Sequence, residues 1–202
     1  MKLEIGKEFP QYFKPLYPEE FEICSHFEVT AAIPTVLFLS LIHICPGWGK
    51  TAMAVGKGVI ASANSRKVIM IQFLKGNLNS ELANGLKMLE PAMKVFRFEK
   101  SCKSFAELNE EEKREERFNI RNGLNFAKKV LSTGECDLLI LDEVLGIIDQ
   151  GVVSCEEIIE FLSAREEGTC VIMTGKVFPK ELEPYVDFIA RVENDKVDKE
   201  CQ

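Results

Sequence analysis

Histidine is nearly absent from the chain, two in 202 residues, which leaves little room for chemistry run by an imidazole base or for a histidine-rich metal cage. A basic excess is absent as well, with 25 Lys and Arg against 32 Asp and Glu and a net charge of -7. Electrostatic nucleic-acid binders need a positive surface to displace counterions from phosphates, so nucleic acid is not an expected partner. The seven cysteines (Cys24, Cys45, Cys102, Cys136, Cys155, Cys170 and Cys201) form no C-x-x-C pair and no zinc-ligand spacing, and several stand in apolar runs. Together with the lack of a basic stretch followed by a signal-like apolar core, this predicts reduced thiols and a cytoplasmic protein. A membrane is not expected either: Ala31 to Cys45, the longest candidate span, is too short, contains Pro34 and His43, and reads better as a buried strand.

What the chain does have is Thr35-Val-Leu-Phe-Leu-Ser-Leu-Ile-His-Ile-Cys-Pro-Gly-Trp-Gly-Lys-Thr51, an apolar run that ends in a glycine-bearing loop and a Lys-Thr pair. The pattern predicts strand, phosphate loop and helix, with the helix N-terminus at the loop. Unpaired backbone N–H groups and the positive end of the helix dipole then face one point, where Lys50 adds a charge for phosphate oxygens and the Thr51 hydroxyl can ligate magnesium. The match to G-x-x-x-x-G-K-[ST] is incomplete, because Ile44 stands at its first glycine.

Further on, apolar runs alternate with helical periods. Lys67 to Phe73, Val95 to Phe98, Cys136 to Glu143, Thr169 to Gly175 and Phe188 to Val192 read as strands. Ser104-Phe-Ala-Glu107 is a capping-box pattern expected to open a long helix to about Leu131, charged all round over 110–117 and then amphipathic through Ile120, Leu124, Ala127, Val130 and Leu131. Ser154-Cys-Glu-Glu157 predicts a second capped helix to about Ala164, and Pro179 to Tyr185 a short one. The alternation predicts an α/β fold, a mostly parallel sheet with helices on both faces. Residues 1–34 read as an N-terminal segment, 35–197 as the nucleotide-binding domain and 198–202 as a tail. Leu138-Leu-Ile-Leu-Asp-Glu143, about ninety positions after Thr51, has the form of a Walker B strand, whose acids meet the metal side of a bound nucleotide.

These stretches together resemble the P-loop type of ATP:corrinoid adenosyltransferase, the cob(I)yrinic acid a,c-diamide adenosyltransferases. Cys45-Pro-Gly-Trp-Gly-Lys-Thr51 is similar to the family's G-x-G-x-G-K-T at Gly47, Gly49, Lys50 and Thr51. Val68-Ile-Met-Ile-Gln-Phe-Leu-Lys-Gly76 resembles its Q-F-x-K-G segment, Leu141-Asp-Glu143 its L-D-E, and Met173-Thr-Gly-Lys176 its T-G-R, in the family's order over residues 41 to 197.

The resemblance implies a RecA-like P-loop NTPase fold and transfer of the 5′-deoxyadenosyl group of ATP to corrinoid cobalt(I), with release of triphosphate. It implies Lys50 and Thr51 as catalytic. Cys45, Pro46, Gly47, Trp48, Gly49, Lys50, Thr51, Gln72, Phe73, Lys75, Gly76, Glu143 and Lys176 are the implied binding residues. Thr51, Asp142 and Glu143 are placed at Mg²⁺ or Mn²⁺. An electron donor such as a reduced flavoprotein and a homodimer are implied as partners.

The loop departs from the family: Cys45 replaces a glycine, Pro46 removes a donor N–H, and Trp48 replaces a lysine. Trp48 is open to stacking on a base or corrin ring and equally to packing the loop. Lys176 is open to solvent or to a phosphate, without the fork of the arginine it replaces. Residues 1–34 show no likeness to the family's N-terminal helix, and Phe38 to Ile44 overlaps a peptide associated with translated sequencing-adapter reads. A foreign origin of the opening portion follows as a hypothesis, which an uninterrupted reading frame from Met1 at the source locus removes. The alternatives to the transferase are a catalytically impaired ATP- or corrinoid-binding paralogue and another P-loop ATPase or kinase.

Overall fold

The structure, a computed structural model, describes residues 49–74, 85–99, 103, 105–165 and 168–191, and the backbone of 40–44. The expected segment 1–34 and tail 198–202 lie outside the described residues. Six strands form one sheet: β1 (Ser40–Ile44), β2 (Val68–Gln72), β3 (Met93–Arg97), β4 (Leu138–Asp142), β5 (Cys170–Gly175) and β6 (Phe188–Arg191). Their order is β3-β2-β4-β5-β1-β6 and every pairing is parallel. Among the described residues the sheet is therefore wholly parallel where a mostly parallel one is expected.

Parallel strands need crossovers that cover the sheet, and apolar residues on both faces follow from that cover. Every residue of β2 and β4 is buried, whereas the edge strand β3 is buried only at Met93. Alternate residues part to opposite faces. Val68, Met70, Leu138, Ile140 and Ile172 meet Ala54 of α1 (Lys50–Ala63), while Ile69, Ile71, Leu139, Leu141, Val171 and Met173 join the larger core on the other face. That second core is closed by α2 (Glu110–Ser132), α3 (Val144–Asp149) and α4 (Cys155–Ser163).

The long helix begins later than Ser104-Phe-Ala-Glu107 suggests. Phe105–Glu107 makes a short 3-10 turn, and α2 starts after Asn109, whose side chain accepts from Glu112 N–H while the Glu112 carboxylate accepts from Asn109 N–H. Asparagine serves a capping box as serine does, and three acids in the first turn favour that start through the helix dipole. Its amphipathic half is buried at Ile120, Ala127, Val130 and Leu131, as the periodicity predicts, but Glu116 in the charged half is also buried. The box Ser154-Glu157 does cap α4, and the helix expected after Pro179 is a 3-10 turn, Lys180–Tyr185.

The three cysteines among the described residues, Cys136, Cys155 and Cys170, are free thiols. Burial, with Asp137 and Glu135 adding to it, pushes the Cys136 thiol up to about 12. A thiol held neutral at pH 8 is a poor nucleophile. Peptide-resolved alkylation with iodoacetamide is expected to label Cys136 far more slowly in the native protein than in urea, and equal rates contradict its burial. No helix among the described residues is long and apolar enough to cross a membrane.

Candidate functional site

Because all strands run the same way, β1, β2, β4 and β5 release their C-terminal ends on one edge, with Gln72 opposite Asp142 and Ile44 opposite Gly175. That edge gathers the polar residues. Gly49 stands before α1 at φ 115°, a backbone region that glycine enters without a steric penalty, and its carbonyl accepts Met53 N–H at 2.8 Å. The first turn of this 14-residue helix holds no acidic residue of its own to offset the positive end of the helix dipole. Lys50 opens that turn. It is 5 % exposed, with Nζ 3.6 Å from Glu143 Oε2.

Asp142 is the hub. It is 0 % exposed, and its carboxylate lies within reach of three donors: Thr51 Oγ1 at 3.1 Å from both oxygens, Gln72 Nε2 at 3.1 Å, and Thr174 Oγ1 at 2.7 Å. Charge-assisted bonds of this kind are stronger than neutral ones and fix the carboxylate's orientation. The Thr174 hydroxyl also accepts Glu143 N–H at 2.8 Å. Glu143 has φ 64°, the left-handed region, and caps α3. A non-glycine residue there is held by its surroundings, and the Thr174 bond is one such hold.

Gly175 completes the edge. A Cβ built on it meets Leu145 Cβ of α3 at less than bonding-free distance and lies 3.2 Å from Leu145 Cα. Cβ cannot swing away as a side-chain tip can, so α3 must move, and with it Glu143. Gly175→Ala is expected to lower stability by about 2 kcal/mol, in the usual range for overpacking. A urea midpoint equal to wild type contradicts that close approach.

Of the residues expected at the site, the structure brings Lys50, Thr51, Gln72, Asp142 and Glu143 together. Phe73 is fully buried in the α2-side core, where its Cε1 would lie 2.8 Å from a Cβ on Gly123, and it serves packing there. Lys176 is exposed and stands near Asp149, whose carboxyl is pushed up by burial and drawn back by the Lys176 ammonium. Cys45, Pro46, Gly47, Trp48, Lys75 and Gly76 lie outside the described residues. Thr174 is the member that sequence reasoning missed. Its signal is the T-G-K segment, in which Thr174 is aligned beside Asp142 by the pairing of Leu141 with Met173.

Among the described residues no group of three or more His, Cys, Asp and Glu forms a metal cage. Two carboxylates and a hydroxyl, all oxygen, instead suit a hard divalent cation that keeps waters and takes phosphate oxygens. A parallel α/β sheet with a Lys-Thr helix N-terminus beside a buried acid at the same edge defines a P-loop, nucleotide-binding class of domain.

The comparisons narrow that class. The family model of ATP:corrinoid adenosyltransferase BtuR/CobO/CobP matches residues 39–200, and the chain belongs to that family. It is 25% identical to an uncharacterised protein of Nostoc sp. PCC 7120, over 76% of this chain and 43% of that protein. It is also 25% identical to the corrinoid adenosyltransferase of Escherichia coli K12, over 72% of this chain and 71% of that enzyme. The chain thus spans less than half of the Nostoc relative. Among solved structures, domain III of the Thermotoga maritima replication initiation protein DnaA aligns with a TM-score of 0.40 and 18% identity, over 79% of this chain and 55% of that chain.

Proposed function

We propose that the protein transfers the 5′-deoxyadenosyl group of ATP to the cobalt(I) of a corrinoid and releases triphosphate. The observation that carries this reading is the meeting of Thr51 with Asp142 at 3.1 Å, which joins the phosphate-loop helix to the acidic strand end within a chain of this family. In the reaction the cobalt(I) electron pair forms the cobalt–carbon bond, the C5′–O bond breaks, and triphosphate leaves with that bond's electrons. No proton has to be removed from the nucleophile. Two histidines in the whole chain are therefore no obstacle.

What the protein must supply is stabilisation of the charge that grows on the departing oxygen. The N-terminal amides of α1 and the Lys50 ammonium hold the triphosphate, and burial of Lys50 raises the effect of its charge by excluding water. Thr51 Oγ1, Asp142 and Glu143 would hold magnesium or manganese, which when bound neutralises phosphate charge. Gln72 and Thr174 keep the Asp142 carboxylate in place. A reduced flavoprotein as electron donor, a homodimer and a cytoplasmic location belong to the same reading.

The sequence of the loop favours one second reading. Cys45, Pro46 and Trp48 take away a flexible glycine, a donor and a cation, which suits a protein that binds ATP or corrinoid without turnover. Product identity decides: ³¹P NMR of an anaerobic reaction with magnesium, ATP and cob(I)alamin is expected to show free triphosphate. ADP with free phosphate points to a hydrolase, ADP with a phosphorylated acceptor to a kinase, and bound but unchanged ATP to the binding protein.

A further inference from the structure

We propose that Gln72 is a positioning residue for the divalent cation, tethering Asp142 with its amide N–H and accepting, at Oε1, a hydrogen bond from a water on that cation. The proposal rests on the triphosphate-and-metal reading given above. Gln72 ends β2 at the ligand edge and is 0 % exposed. Its main chain is already committed, with the carbonyl accepting Phe98 N–H at 3.2 Å. The amide orientation is fixed by chemistry: Asp142 Oδ2, 3.1 Å away, belongs to a carboxylate that only accepts, so the atom facing it is Nε2. Oε1 is then turned away from Asp142, buried, and has no hydrogen-bond partner among the described residues.

An orphaned buried acceptor is rare because it loses its water without compensation. Leucine or methionine would fill the same place in a strand covered on both faces without that cost. The acceptor therefore needs a donor brought in by a ligand. Triphosphate oxygens are themselves acceptors and cannot serve. A water polarised by a divalent cation is a strong donor, and Asp142, which is suited to the cation, takes hydrogen bonds from both Gln72 and Thr51. Outer partners of this kind commonly change metal affinity by about ten- to a hundredfold when removed.

The test uses the full chain, Mn²⁺ and inorganic triphosphate, which carries no ribose or base and needs no cobalt chemistry. Free Mn²⁺ is followed by electron paramagnetic resonance, and exchange of metal-bound water by ¹⁷O relaxation. Gln72→Met is expected to weaken Mn²⁺ binding about tenfold and to speed water exchange, while triphosphate affinity without metal stays within about twofold of wild type. Unchanged Mn²⁺ affinity overturns the proposal, as does weakened affinity with wild-type water exchange. An effect seen with ATP but not with triphosphate assigns Oε1 to a nucleoside group and overturns it too. Should Gln72→Met fail to fold by circular dichroism, Gln72→Asn, whose shorter side chain withdraws both atoms, is read by the same measurements. A wild-type chain that takes up no Mn²⁺ with triphosphate overturns the metal-and-triphosphate reading itself, whereas wild-type uptake with an unaffected variant overturns the role of Gln72 alone.

Discussion

Lys50→Ala is expected to lower corrinoid adenosylation by at least about a hundredfold, the usual loss when one fixed electrostatic partner of a developing oxyanion is removed. Lys50 is the first residue of α1 and is 5 % exposed, so its charge acts where water screens it little. Lys50→Arg should not restore the rate. The guanidinium is a broad, planar fork, and it does not present its charge as the compact point of an ammonium does. Stability responds as well, because truncation takes the ammonium 3.6 Å from the buried Glu143 carboxylate out of the site. A variant that keeps more than about a tenth of wild-type turnover removes Lys50 from the reaction.

Asp142→Ala is expected to be of similar severity, through a different route. Three donors converge on this carboxylate, and two of them, on Gln72 and Thr174, are on fully buried residues. Losing the acceptor leaves buried donors unpaired, a cost of about 1–3 kcal/mol. Relief of a buried negative charge opposes it, but the bond of 2.7 Å from Thr174 and the hold on Gln72 both disappear. Turnover should fall about a hundredfold or more, Mn²⁺ affinity should fall with it, and the urea midpoint should drop at unchanged slope. Wild-type metal uptake by the folded variant contradicts the placing of Asp142 at the cation.

The contrast between what was readable and what was not has physical roots. Gly49-Lys50-Thr51 and Leu138 to Glu143 were legible because local chemistry fixes both, an apolar strand that must end where a polar ligand edge begins. The strands β2, β4 and β5 were legible for the same reason, being buried on both faces. The start of α2 was misplaced because Ser104 and Asn109 each precede a glutamate by three residues, and only the three-acid first turn separates them. Helix α3 was missed outright: Val144–Asp149 is one short apolar turn after the left-handed Glu143, and six residues carry no clear period. Thr174 was invisible as a site residue because its importance lies in two bonds across the sheet, to residues more than thirty positions away. No spacing along the chain announces such a pairing.

The most direct test of the central claim follows the carbon that must change partners. ATP labelled with ¹³C at C5′ is incubated anaerobically with the full chain, magnesium and chemically reduced cob(I)alamin, and the label is followed by NMR. Transfer predicts a new signal from cobalt-bound carbon, growing as the cobalt(I) absorption band falls and lost on illumination, with one triphosphate formed for each corrinoid converted. A label that stays on oxygen, in ATP or in any hydrolysis product, contradicts it.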